Sequence, residues 1–203
     1  VGDEEMEYMD SMGIPYVIVS THPSGRGVGE VCTDHLDHIK DVIGYFKSKG
    51  VESIAYAGPV PRSHRDKRLD AFRNALIYHG YDVRDELIVL GTFDNNEVCK
   101  SIISMLEKES CRPDAILAAS PRFGMLAVRS CHMLSIKIPQ DIRIVAVGSS
   151  KFFELIHPPL SSIELPLYDM GFKAAEMILR IIDKGHIDEL SVLGSEFIIR
   201  ESS

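Results

Sequence analysis

Short apolar runs alternate along the chain with longer amphipathic stretches. "PYVIVS", "SIAYAG", "LIVLGT", "AILAAS" and "IRIVAVGS" are β-branched or small and nearly free of charge, as strands buried on both faces of a parallel sheet are. Between them the apolar spacing turns helical. Leu69, Phe72 and Leu76 fall at i, i+3 and i+7 before Gly80; "NNEVCKSIISMLEK" and "PRFGMLAVRSCHML" follow the same rule. "LYDMGFKAAEMILRIIDKG" ends on Gly185, the residue type favoured just past a helix C-terminus. Alternating strands and helices predict α/β layers with right-handed crossovers. Strands at about 53–57, 87–91, 115–119 and 143–147 are expected in one parallel sheet with helices on both faces. No repeat, low-complexity tract or Pro-rich linker marks a boundary.

In open α/β sheets ligands lie beyond the carboxyl ends of the strands. Four such ends are legible, "GPVPRSH", "GTFDN", "AASPR" and "VGSSK". They offer Arg62 and His64, Phe93 and Asp94, Ser120, then Ser149 and Ser150. An aromatic, several hydroxyls and two or three cations describe a small polar pocket with one stacking wall. Phe93 by itself reads as core. Arg65, Lys67 and Arg73 read as solvated helix charges, whereas Arg62, His64 and Arg68 together read as a ligand clamp.

Composition narrows the partners. A 203-residue chain with 45% apolar and 26% charged residues is a soluble globular protein larger than one ordinary domain. Its net charge of −8, with Lys and Arg dispersed, argues against this segment gripping DNA or an anionic membrane. No apolar run reaches the roughly 18 residues of a spanning helix, and the acidic start "VGDEEMEYMD" is not a secretory signal. Cys32, Cys99, Cys111 and Cys131 lack metal spacing and read as reduced, buried and cytoplasmic. "GRGVG" precedes a strand instead of opening a helix, and reads as a flexible turn. In "DHLDH" Asp34 reads as an N-cap, with His35 and His38 exposed. GxSxG, HExxH and Walker sequences are absent, so no catalytic residue, metal or cofactor is expected.

An ordered series of segments resembles the effector-binding region of the lactose/galactose-repressor (LacI/GalR) family of transcription regulators. "SIAYAGPVPRSHRDKRLDAFRNAL" is similar to the family's IAYIGGP…RxxGFxxAL, and "RPDAILAAS" to its RPTAIFAAN. "KIPQDIRIVAVGSS" resembles VPEDISVVGFDD, "HPPLSSIELPLYDMGFKAAEMIL" resembles PPLTTVRQPxxxxGxxAAxxLL, and "EFIIRESS" resembles ELVVRESS. The series runs from about Ile14 to Ser203.

The resemblance implies a periplasmic-binding-protein-like fold (type I): two doubly wound parallel-sheet lobes with a ligand cleft, the first lobe incomplete. Residues 1–33 plus 162–187 would be the remnant of the first lobe, and 34–161 plus 188–203 the second. The chain is expected to be a piece of a longer protein, because an incomplete lobe exposes apolar sheet edge. The resemblance places Arg68 at the family's ligand-contacting arginine, Arg62 and His64 at variable contacts, and Phe93 at the aromatic wall. Ser120 replaces an Asn or Asp, Gly148 and Ser149 replace acidic residues that hold sugar hydroxyls, Leu165 replaces a polar residue, and Ser20 contributes from the first lobe. With the cationic side kept and the acidic side lost, an anionic effector such as a sugar phosphate or carboxylate is expected in place of a neutral sugar. The resemblance also implies a homodimer that reaches operator DNA only through an upstream domain. The alternative is a solute-binding protein for sugar transport with the same fold.

Overall fold

The computed structural model describes residues 3–20, 23, 25, 26, 28–61, 67–108 and 112–203. The chain divides into two units, Val1–Asp34 with Pro166–Ser195 and His35–Leu165 with Glu196–Ser203.

The first unit holds α1 (Asp3–Ser11), β1 (Ile18–Val19), β2 (Glu30–Thr33), α6 (Leu167–Lys184) and β8 (Leu190–Leu193). Its three strands are parallel in the order β1-β2-β8. Met170 and Met177 of α6 close over Val31, with Val17, Ala174, Ile181 and Leu193 at the margin. The expected strand in "PYVIVS" pairs over two residues only, Ile18 and Val19.

The second unit carries α2 (His35–Ser48), β3 (Ile54–Pro59), α3 (Arg68–His79), β4 (Ile88–Gly91), α4 (Asn95–Leu106), β5 (Ala115–Ala118), α5 (Pro121–Met133), β6 (Arg143–Val147), β7 (Ser161–Glu164) and β9 (Glu196–Ile198). Its sheet runs β4-β3-β5-β6-β7-β9, and the four strands expected together are neighbours and parallel. Alternate residues of each strand face opposite sides. Ala55, Ala57, Ile116, Ala118, Ile144 and Ala146 meet α4 and α5 through Val98, Ile102, Phe123 and Ala127. Ile54, Tyr56, Ala115, Leu117 and Val145 meet α2 and α3 through Ile39, Phe46, Phe72 and Leu76. Two covered faces explain why these strands read as continuous apolar runs. Gly80 closes α3 at φ 80° as expected, whereas Asp94, offered above as a binding group, caps α4 by accepting from the N–H groups of Asn96 (2.7 Å) and Glu97 (3.3 Å).

Two expectations change. β9 joins this sheet antiparallel to β7, so the sheet is not wholly parallel. The unit boundaries also move. Residues 162–165 belong with the second unit because β7 pairs with β6, whereas 188–195 belong with the first because β8 pairs with β2 from Glu30↔Leu190 to Thr33↔Leu193. The "RESS" ending is locked in place. Ser202 Oγ accepts from Ser161 N–H (2.9 Å) and donates to Ile144 C=O (2.6 Å), and Arg200 Nη2 lies 2.6 Å from Glu164.

Candidate functional site

The strand order of the second unit contains a topological switch. From β3 the chain moves out to the edge strand β4, then returns to the other side of β3 as β5. The crevice beyond the carboxyl ends of β3 and β5 is therefore the favoured ligand position. Arg68, the first residue of α3, spans it: its Nη1 donates to the Ala119 carbonyl at 3.0 Å.

The other described candidates of this unit collect along the same edge, in different roles. Phe93, on the turn between β4 and α4, is 74% exposed and is not the core residue that composition suggests. Ser120 begins α5 without capping it. Ser149 is committed to the backbone: its hydroxyl accepts from Leu165 N–H (2.8 Å) and donates to Leu165 C=O (3.2 Å), joining the ends of β6 and β7. Ser20 stands in the first unit at the end of β1, its N–H on Val31 C=O at 3.0 Å. Arg62 and His64 lie outside the described residues.

Arg68 and Arg122 bring two cations to this edge. The carboxylate of Asp94 is engaged in capping α4. Gly148 sits at φ 101°, and a Cβ there would meet Pro121 Cδ at 2.9 Å, so backbone strain and a clash both oppose an acidic side chain. Arg122 escaped the sequence reading because it lies inside a helical pattern. Its Nε donates to Asn95 Oδ1 (2.7 Å) and its Nη1 to Thr92 C=O (2.8 Å), so it clamps the Phe93 turn to α5. The signal was the pair "PR" directly after Ser120.

Elsewhere, one residue of "DHLDH" differs from expectation: His35 is buried. His38 pairs with Asp41 at 3.0 Å, and Asp34 accepts from the N–H and hydroxyl of Ser195, both at 2.7 Å. Burial pushes the Cys131 thiol up to about 12. It also raises Cys32, with help from Glu30 and Asp34. Cys32, Cys99 and Cys131 are free and buried, and Cys111 lies outside the described residues. Among the described residues no three His, Cys, Asp or Glu side chains converge as metal ligands, and no helix is long and apolar enough to cross a membrane.

The family model of the periplasmic binding protein-like domain matches residues 43–203. The chain belongs to that family. Within it, the chain is an effector-binding region of the LacI/GalR type, similar to Catabolite control protein A of Staphylococcus xylosus at 25% identity over 195 residues, 95% of this chain and 58% of that protein. The transcriptional regulator CelR in its cellobiose complex is 25% identical with a TM-score of 0.87, covering 99% of this chain and 62% of that one. A LacI-family regulatory protein from Chloroflexus aggregans shares the fold at 21% identity and a TM-score of 0.86, over 99% of this chain and 73% of the other. The chain thus spans less than two thirds of Catabolite control protein A and of CelR.

Proposed function

We propose that this chain is the sensing and dimerisation region of a cytoplasmic LacI-type transcription regulator. It binds a small anionic effector, such as a sugar phosphate or carboxylate, and catalyses no reaction. The first unit is part of an N-terminal lobe, the second unit is the C-terminal lobe, and operator DNA is reached through a domain outside these 203 residues. The observation that carries the anionic reading is the pairing of Arg68 at the switch point with Gly148, whose backbone and Pro121 neighbour leave no room for an acid. Arg62 and His64 belong to the same clamp in this reading. An arginine fork suits phosphate or carboxylate, and in this reading the ligand supplies the negative charge that Gly148 and Ser149 do not.

CelR binds cellobiose in its solved complex, which makes cellobiose the neutral comparator. Calorimetry of the intact protein against sugar phosphates, their neutral parents and cellobiose tests the reading. A charge-assisted hydrogen bond contributes roughly 1.5–3 kcal/mol, so Arg68→Ala should weaken anion binding about tenfold to a hundredfold. Neutral sugars binding as tightly as their phosphates, or an Arg68→Ala variant of unchanged affinity, would return the basic turn to a solvated helix start.

A further inference from the structure

The turn that carries Phe93 is held from both ends by one side chain. Arg122, in the first turn of α5, donates from Nη1 to the Thr92 carbonyl at 2.8 Å and from Nε to Asn95 Oδ1 at 2.7 Å. Thr92 precedes Phe93 and Asn95 opens α4, so the guanidinium brackets the two residues at the tip. Behind it, the guanidinium carbon lies 5.2 Å from the centre of the Phe123 ring, which is buried. At the base of the turn Gly91 leaves no room for a side chain, since a Cβ there would run into Val98. Asp94 is engaged in capping α4, so the large side chain that the turn presents is the exposed Phe93.

A strap alone does not call for an arginine. Two of its nitrogens serve neutral acceptors, and Nη2 is buried with no hydrogen-bond partner, so among the described residues no carboxylate meets this cation. An unmatched buried donor and an uncompensated cation both cost stability, whereas a neutral glutamine could tie the turn with its amide. Features that cost stability with no local return concentrate at functional sites. The placement agrees. Arg122 comes from a helix on one face of the sheet and Arg68 from a helix on the other. Their anchoring carbonyls, Thr92 and Ala119, follow β4 and β5, the strands on either side of β3. Two strand spacings, about 10 Å, separate these anchors, so a phosphate seated on Arg68 leaves the Arg122 side of the edge to the rest of the ligand.

We propose that Arg122 is a positioning residue for effector recognition. It fixes Phe93 as a stacking surface for the ring of a sugar-like effector, and so sets a preference for ring-bearing ligands over ring-less anions. This rests on the reading that the effector binds at this edge, and it does not depend on the effector's charge.

Calorimetry of the intact protein compares hexose phosphates with glycerol phosphate, which carries the same anion without a ring, and with cellobiose. Arg122→Gln should weaken ring-bearing ligands about threefold to tenfold, the range of one aromatic contact, and leave glycerol phosphate within about twofold. Phe93→Ala should do the same, and the double variant should be no worse than either single one, because the two residues act as a unit. Arg68→Ala should weaken both kinds of phosphate alike. Arg122→Lys keeps the charge but not the two-pronged fork, and should lose the ring preference as well. Asn95→Ala removes one anchor at an exposed residue and supplies the same test if the Arg122 variants fail to fold. Equal losses for hexose and glycerol phosphates, additive losses in the double variant, or an Arg122→Lys variant of full ring preference would make Arg122 a strap only and overturn the proposal. Cellobiose binding in place of the phosphates overturns the anionic reading alone, and the same variants then judge Arg122 on cellobiose. Binding of no ring-bearing ligand overturns both.

Discussion

The two units are built from similar apolar text and reach different degrees of closure. In the second unit β5 has a strand on either side and helices over both faces, and Ala115, Ile116, Leu117 and Ala118 are all fully buried. In the first unit β2 is as buried, yet its neighbour β1 pairs over two residues, and Leu190 and Val192 of β8 remain 51% and 54% exposed. Charge follows the same division: the second unit is neutral and the first carries the entire excess of acid. The difference teaches that apolar content measures how much surface a segment must cover, and not whether its own fold covers it. In the first unit part of that surface stays exposed.

The largest contrast concerns the thiols. Because the folded-state value for Cys131 in the second unit is pushed up to about 12, the thiol stays protonated at pH 8. Its thiolate fraction is then about a thousandfold below that of an ordinary cysteine, and reactivity returns only as pH approaches the raised value. Native-state alkylation read by peptide mass spectrometry should leave Cys131 unmodified at pH 8, and Cys32 in the thinner unit should be modified before it. The reverse order would break the comparison.

Next come two phenylalanines. Phe72→Ala removes a fully buried ring from the second unit and should cost about 3–5 kcal/mol in urea unfolding. Phe172→Ala, on the exposed side of α6 at 58% exposure, should stay within about 0.5 kcal/mol. Similar losses at both positions would mean that this side of α6 is covered within the chain.

Gly148→Asp should destabilise the second unit by about 1–3 kcal/mol, measured by thermal unfolding, and Gly148→Ala should do the same because the cause is backbone strain and Pro121. A loss confined to the aspartate would make charge the reason. The smallest effect is electrostatic: added salt screens repulsion within the acidic first unit. Hydrogen exchange should show amide protection in β2 and α6 rising modestly with salt while that of β5 and β6 stays level. Equal responses would dissolve the electrostatic half of the contrast.

Much of this was legible in the residues. The strand text from "SIAYAG" to "IRIVAVGS" predicts one sheet because strands covered on both faces need no polar alternation, and Gly80 marks a helix end through local backbone conformation. Arg68 was legible as a candidate because it follows a strand end and opens a helix. Arg122 was not, since its role is to reach across to Thr92 and Asn95, which are neighbours only after β4 and β5 are set either side of β3.

The sequence by itself determined the class of fold, strands β3 to β6 and helices α3 to α5 of the second unit, and the acidic balance, since these follow from periodicity, helix-stop signals and composition. Only the tertiary structure decided where the chain changes units, that β9 runs antiparallel, that Ser149 is committed to Leu165, that His35 is inside and that Phe93 is outside. Each of these depends on which distant strand or helix supplies the hydrogen-bond partner or the covering surface. That pairing is a property of the assembled sheet and is absent from any local window of residues.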